Sequence, residues 1–142
     1  DSLVPVSRPK WNGVLPDNII DQQLPMVRNP HYGVHIFALG KNGSLFHKYQ
    51  TGQPNMSDPM AEVPFTKWLS LTPSTYKNTS GVALPLIFAN SPAVALNADG
   101  RIELFVAFQP GSLDIWQMYQ TDATNPLAWS AIRAPYCDPA FA

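Results

Sequence analysis

Three histidines, a handful of carboxylates and one thiol are the groups that could carry covalent or acid–base chemistry in this chain of 142 residues. His31 and His35 lie four apart, a spacing that would put both on one face of a helix and offer a metal two nitrogens. Pro30 and Gly33 argue against a helix there, so on strands both read as surface or hairpin residues. Glycoside hydrolysis needs two carboxylates held at a set separation. Glu62, Glu103, Asp99 and Asp114 are present, but nothing in their spacing pairs them. "NADG" (97–100) shares residues with a calcium loop but lacks the terminal bidentate Glu, and reads as a hairpin turn. Cys137 has no flanking catalytic signature, and no Gly-x-Ser-x-Gly or phosphate-binding Gly loop occurs. The expectation is a protein that is not an enzyme and holds no metal or cofactor.

The elements that would position any site are read from periodicity. "FALGKNGSLFHKYQT" (37–51) and "FVAFQPGSLDIWQMYQT" (105–121) are two versions of one phrase, each followed by a Trp, at 68 and at 129. Asn29 answers to Asn97 and Phe37 to Phe105. A two-residue insertion then brings Tyr49, Gln50 and Thr51 onto Tyr119, Gln120 and Thr121. "VHIFALG" and "IELFVAF" alternate like half-buried strands, and "KNGS" and "NADGR" are hairpin signals. Each copy resolves into four short strands. In the first they are 25–29, 34–39, 44–51 and 65–72; in the second, 92–97, 102–108, 113–120 and 128–134.

Composition agrees. Fifteen prolines against eight glycines exclude long helices, and 45% apolar with 13% charged residues excludes disorder. Net charge is −1 with no basic stripe, which removes the electrostatic footprint of a nucleic-acid binder. "VALPLIFANSPAVAL" (82–96) is interrupted by Pro85, Asn90 and Pro92 and is too short to span a bilayer.

The predicted fold is all-β, of β-propeller type. Two four-stranded antiparallel blades fall at about 24–72 and 91–134 of a single domain, 1–142. One blade cannot bury both its faces, so Phe37, Leu39, Leu104 and Val106 are expected between blades. "SRPKWNG" (7–13) reads as the last strand of a preceding blade and "APYCDPA" (134–140) as the first of a following one. On that reading 1–23 and 135–142 are partial, exchanged blades. Two blades do not close a propeller, so neighbouring copies or a longer polypeptide must complete it, as a ring or as an open filament.

"SPAVALNADGRIELFVAFQPGSLDIWQMYQT" (91–121), with "AWSAI" after it, resembles the repeat of PLL-like β-propeller lectins, which are similar to tectonin repeats. The likeness runs through Pro92, Asn97, Asp99, Gly100, Arg101, Glu103, Phe105, Leu113, Gln120 and Trp129. The first copy departs from it by writing "NPHYG" for the Asn-x-Asp-Gly turn, and both copies lack the Leu-Gly-Gly after the Trp. The resemblance implies radially arranged blades, no catalysis, and glycan sites in grooves between them.

Glycan recognition uses aromatic faces against pyranose C–H groups and planar polar groups at the hydroxyls. The candidates are Trp116, Trp129 and Trp68, with Tyr49 and Tyr119, and Glu103, Arg101, Gln120 and His47 as polar partners. Trp68 and Trp129 recur at equivalent places and also read as packing residues. Trp116 belongs to the second copy alone and is the first choice as a platform. Asn42, Asn55 and Asn78 open N-x-[ST] sequons and point to an extracellular, secreted glycoprotein. The start shows no signal-peptide pattern, so either there was none or this is a mature form. Cys137, without a partner in the sequence, is a buried thiol or an intermolecular disulfide. The expected partners are glycans and other copies of the chain, with no nucleic acid and no membrane insertion. The leading reading is a carbohydrate-binding, lectin-like propeller module. Its rival is a structural glycoprotein subunit of an extracellular oligomer, coat or filament.

Overall fold

Nine strands, all paired antiparallel, are described by a computed structural model over residues 18–20, 22–58, 60–109 and 114–134. No helix occurs among the described residues. Strands β1 (Met26–Asn29), β2 (Gly33–Leu39), β3 (Leu45–Tyr49) and β4 (Leu69–Ser70) form a four-stranded sheet in that order. β5 (Thr75–Lys77) and β6 (Ala83–Pro85) form a separate hairpin. β7 (Ala93–Leu96), β8 (Ile102–Ala107) and β9 (Ile115–Tyr119) make a three-stranded sheet. A fourth strand of this last sheet is reduced to two bridges, Gln120 with Trp129 and Gln117 with Arg133. The two-copy reading therefore holds at the level of pairing. Phe37 lies opposite His47 and Phe105 opposite Gln117; His35 lies opposite Tyr49 and Glu103 opposite Tyr119.

One turn geometry is used three times. Gly43, Gly81 and Gly100 all have positive φ (84°, 81° and 91°), which L-residues reach only with strain. Each donates its N–H to the carbonyl three residues back, of Gly40, Asn78 and Asn97 respectively. Those same three residues donate to the carbonyl of the residue after the glycine, closing a type I turn with a bulge. The hairpin β5–β6, built on the middle turn, was not expected from the sequence. It carries Tyr76 into the core, where the ring meets Phe108 and Trp116 edge-on.

The conserved Gln of the repeat is a clamp. Gln50 Oε1 accepts from the Val34 N–H (3.0 Å) and Gln120 Oε1 from the Ile102 N–H (2.9 Å). The backbone N–H groups of the same two glutamines donate to the carbonyls of Val34 and Ile102. Both glutamines are buried, so these bonds form away from competing water.

Side chains on adjacent strands alternate between two faces. The front of the first unit carries His35, Phe37, Leu39, Leu45 and His47, all buried. The back of the second carries Ile102, Leu104, Val106, Trp116 and Met118, also buried. Phe37 packs with Ile102, Leu104 and Met118, and Leu39 and Leu45 with Val106, Phe108 and Trp116, joined by Leu86 and Phe88 from the connecting segment. Each such side chain contributes about 1.5–3 kcal/mol by leaving water. Front packs on back, and the four residues expected between the units are there. Asn29, 1% exposed, ties the units further, donating from Nδ2 to the carbonyls of Gly100 (2.9 Å) and Ala123 (3.0 Å) while its Oδ1 accepts from His31 N–H (2.7 Å).

Candidate functional site

Where β3, β4, the β5 strand and the last stretch of the second unit converge, they leave a groove of about 490 Å³. Its wall includes Leu71, Leu86, Met118 and Leu127, and four residues that carry hydroxyls, Ser70, Thr75, Tyr76 and Ser130, also line it. His47 and Trp129 line it from opposite units, and no carboxylate does among the described residues. Trp129 is half-buried; its indole N–H donates to the Pro126 carbonyl (2.9 Å), which fixes the ring plane. The ring stands nearly perpendicular to those of His35, Phe37 and His47, at centroid distances of 5.9, 5.9 and 6.3 Å.

Behind His47 runs a chain of hydrogen bonds, buried at the histidine pair and part-buried at Tyr32. Gln120 Nε2 donates to Tyr32 Oη (2.9 Å), Tyr32 Oη lies 2.6 Å from His35 Nδ1, and His35 Nε2 lies 2.8 Å from His47 Nδ1. An amide nitrogen can only donate, so Tyr32 accepts there and gives its own proton to His35 Nδ1, the phenol being the stronger acid and the imidazole nitrogen the stronger base. His35 then donates from Nε2 to His47 Nδ1, leaving the His47 proton on Nε2. Burial pushes His35 down to about 3, with a further push from neighbouring His47, and pushes His47 down to about 4. Burial raises the Tyr32 hydroxyl to about 12. All three are neutral near pH 7, and His47 is a neutral hydrogen-bonding group at the groove.

The predicted site residues separate. Trp129 and His47 come together in the groove. Trp116, 7% exposed, stands in the apolar cluster instead, stacked on Phe108 (5.2 Å, 22°), and offers no open face. The insertion that made it distinctive does not bring it to the surface, because its strand position points it at the first unit. Its indole Nε1 is buried with no hydrogen-bond partner. Gln120 is fully buried as the clamp, and Arg101 pairs with Asp99 (2.7 Å) on an exposed turn. Glu103 accepts from Gln117 Nε2 (3.1 Å) on the front of the second unit, away from the groove. Trp68 is half-buried under the Lys48 ammonium, 5.2 Å from its ring. Tyr49 is half-buried 5.5 Å from His35, and Tyr119 lies beneath Arg133.

His35 corrects the expectation of a surface residue: it is fully buried, its ring stacked on Phe37 at 4.5 Å. The alternation of β2 already placed it on the same face as Phe37, a signal the sequence carried. Tyr32, Tyr76 and Thr75 were not foreseen. Among the described residues no three of His, Cys, Asp and Glu gather as a metal site would need. No helix among them is long and apolar enough to cross a membrane.

Asn42 and Asn55 are exposed, Asn78 half-buried, and each side-chain oxygen accepts from the N–H two residues on. Cys137 and the segments 7–13 and 135–140 lie outside the described residues. No family model matches the chain, and neither does any curated protein.

Proposed function

We propose that this chain is an extracellular, lectin-like carbohydrate-binding module whose two units are β-propeller blades and whose ligand lies in the groove beside Trp129. The observation that carries the reading is the groove's composition: an indole held at a fixed angle, an apolar wall, four hydroxyl-bearing side chains and, among the described residues, no carboxylate. Such a surface suits the mixed apolar and hydroxylic face of a neutral sugar. Among the described residues it has no paired acids of the kind hydrolysis needs, which favours binding without catalysis.

A glycan-array screen followed by titration calorimetry tests it. Thr75 is exposed on the groove's rim, and Thr75→Tyr would fill the space without touching the core. Binding to at least one glycan class is expected, falling about tenfold or more (about 1.4 kcal/mol) in Thr75→Tyr. Binding that survives Thr75→Tyr unchanged moves the site elsewhere; silence across the array removes the lectin reading.

The rival, a structural subunit of an extracellular assembly, draws support from the half-exposed apolar rings of Phe105 and Tyr119 on the outer face of the second unit.

A further inference from the structure

Register equivalence gives the strand residues of the buried contact between the units counterparts elsewhere. On the front, His35, Phe37 and His47 correspond to Glu103, Phe105 and Gln117. Even the cross-strand bond repeats: His35 to His47 at 2.8 Å, Gln117 to Glu103 at 3.1 Å. The first set is buried under the second unit, whereas the second set is only half-buried. On the back, Leu104, Trp116 and Met118 correspond to Ile36, Phe46 and Lys48, and again one set is covered and the other half-exposed.

We propose that the front of the second unit and the back of the first are two halves of one interface, filled by a second copy of this chain stacked head to tail. Two observations support that occupant. One is the interface inside the chain, front upon back, which any further copy can repeat with the same strand positions. The other is charge. Where the intrachain contact has Met118 packed with Phe37, the half-exposed back of the first unit has Lys48 and the half-exposed front of the second has Phe105 with the Glu103 carboxylate beside it. Lys48 is held over the rings of Trp68 (5.2 Å) and Phe65 (5.8 Å), and the Glu62 charge favours its protonated form. Brought against a second copy, its ammonium meets Glu103 across a largely apolar surface. Unlike charges there set register, and like charges oppose docking. The contact uses two different surfaces, so addition does not stop at a dimer unless the ring closes.

The inference is independent of glycan binding, and sedimentation velocity of the 142-residue chain tests it without ligand. Species larger than a dimer should grow with concentration between micromolar and hundreds of micromolar. Lys48→Glu and Glu103→Lys should each weaken assembly at least about tenfold. Mixing the two variants in equal amounts, or combining both changes in one chain, should restore it, because each then meets an opposite charge. Restoration requires both proteins to be folded, so it separates lost docking from lost structure. A chain that stays monomeric throughout, or single variants that assemble as the parent does, overturns the proposal; so does failure of the mixture and of the double variant to recover.

Discussion

His35 and His47 share a single hydrogen bond of 2.8 Å between Nε2 and Nδ1, their rings stacked 5.0 Å apart beneath Trp129. Tyr32 donates to the far nitrogen of His35, so the neutral pair matches donor to acceptor at every step. A proton on either ring must be held where burial has closed access to water, and protons on both set N–H against N–H.

Stability should therefore fall in acid. Both folded pKa values are depressed, to about 3 and about 4, from 6.5. The contribution is fully present above pH 6.5 and is lost as pH falls through the range down to those values. Each histidine steepens the loss by about 1.4 kcal/mol per pH unit. Urea titrations between pH 7.5 and 4.5 should show this slope, and His47→Gln, which copies Gln117 of the second unit, should reduce it by about half. A parent protein equally stable at pH 7 and pH 4.5 would show that the pair is not held neutral.

Asn29 should be sensitive to its smallest change. Asn29→Ala leaves two buried carbonyls and one N–H without partners, and about 1–3 kcal/mol of stability should be lost in thermal or chemical unfolding. Asn29→Asp keeps the acceptor but replaces the one nitrogen that makes both bonds with an oxygen facing two carbonyls, and should cost at least as much.

Two glycines separate strain from collision. Gly81 has φ +81° with nothing within 4 Å of where a Cβ would be, so Gly81→Ala should lose only the conformational term, about 1–2 kcal/mol. Gly33, at φ +107°, has the Gln50 amide where its Cβ would go. Gly33→Ala must also displace the clamp on Val34, and its loss in equilibrium unfolding should exceed that of Gly81→Ala by more than about 1 kcal/mol.

Trp116 holds a buried N–H without a partner. Trp116→Phe removes both that group and some packed area, two effects of opposite sign, and should leave stability within about 1 kcal/mol of the parent. Trp116→Ala should cost about 3–5 kcal/mol by opening a cavity beside Phe108, Phe88 and Tyr76. Melting curves of the two variants distinguish a packing role from a ligand platform, since only the latter leaves Trp116→Ala folded as well as the parent.

Local pattern sufficed for most of the strands and turns. Alternation marks β2 and β8, Asn97-Ala-Asp-Gly100 marks its turn, and the repeated phrase aligns the pairing of Phe37 with that of Phe105. The hairpin β5–β6 was not foreseen, although Asn78 and Gly81 have the spacing of Asn97 and Gly100 and close the same turn.

What the sequence by itself determined is the all-β class, the recurrence of one phrase, and which positions of each strand share a face, because these follow from the two-residue period and from glycines at positive φ. Tertiary structure alone decided what each face meets. Trp116 and Trp129 both follow a strand rule, yet one is enclosed by Tyr76 from an intervening hairpin and the other borders a groove. Gln120 reaches Tyr32, 88 positions away, and through it the two histidines. Strand periodicity is a property of neighbours in the chain, whereas burial, hydrogen-bond order and proton affinity depend on groups that only packing brings together.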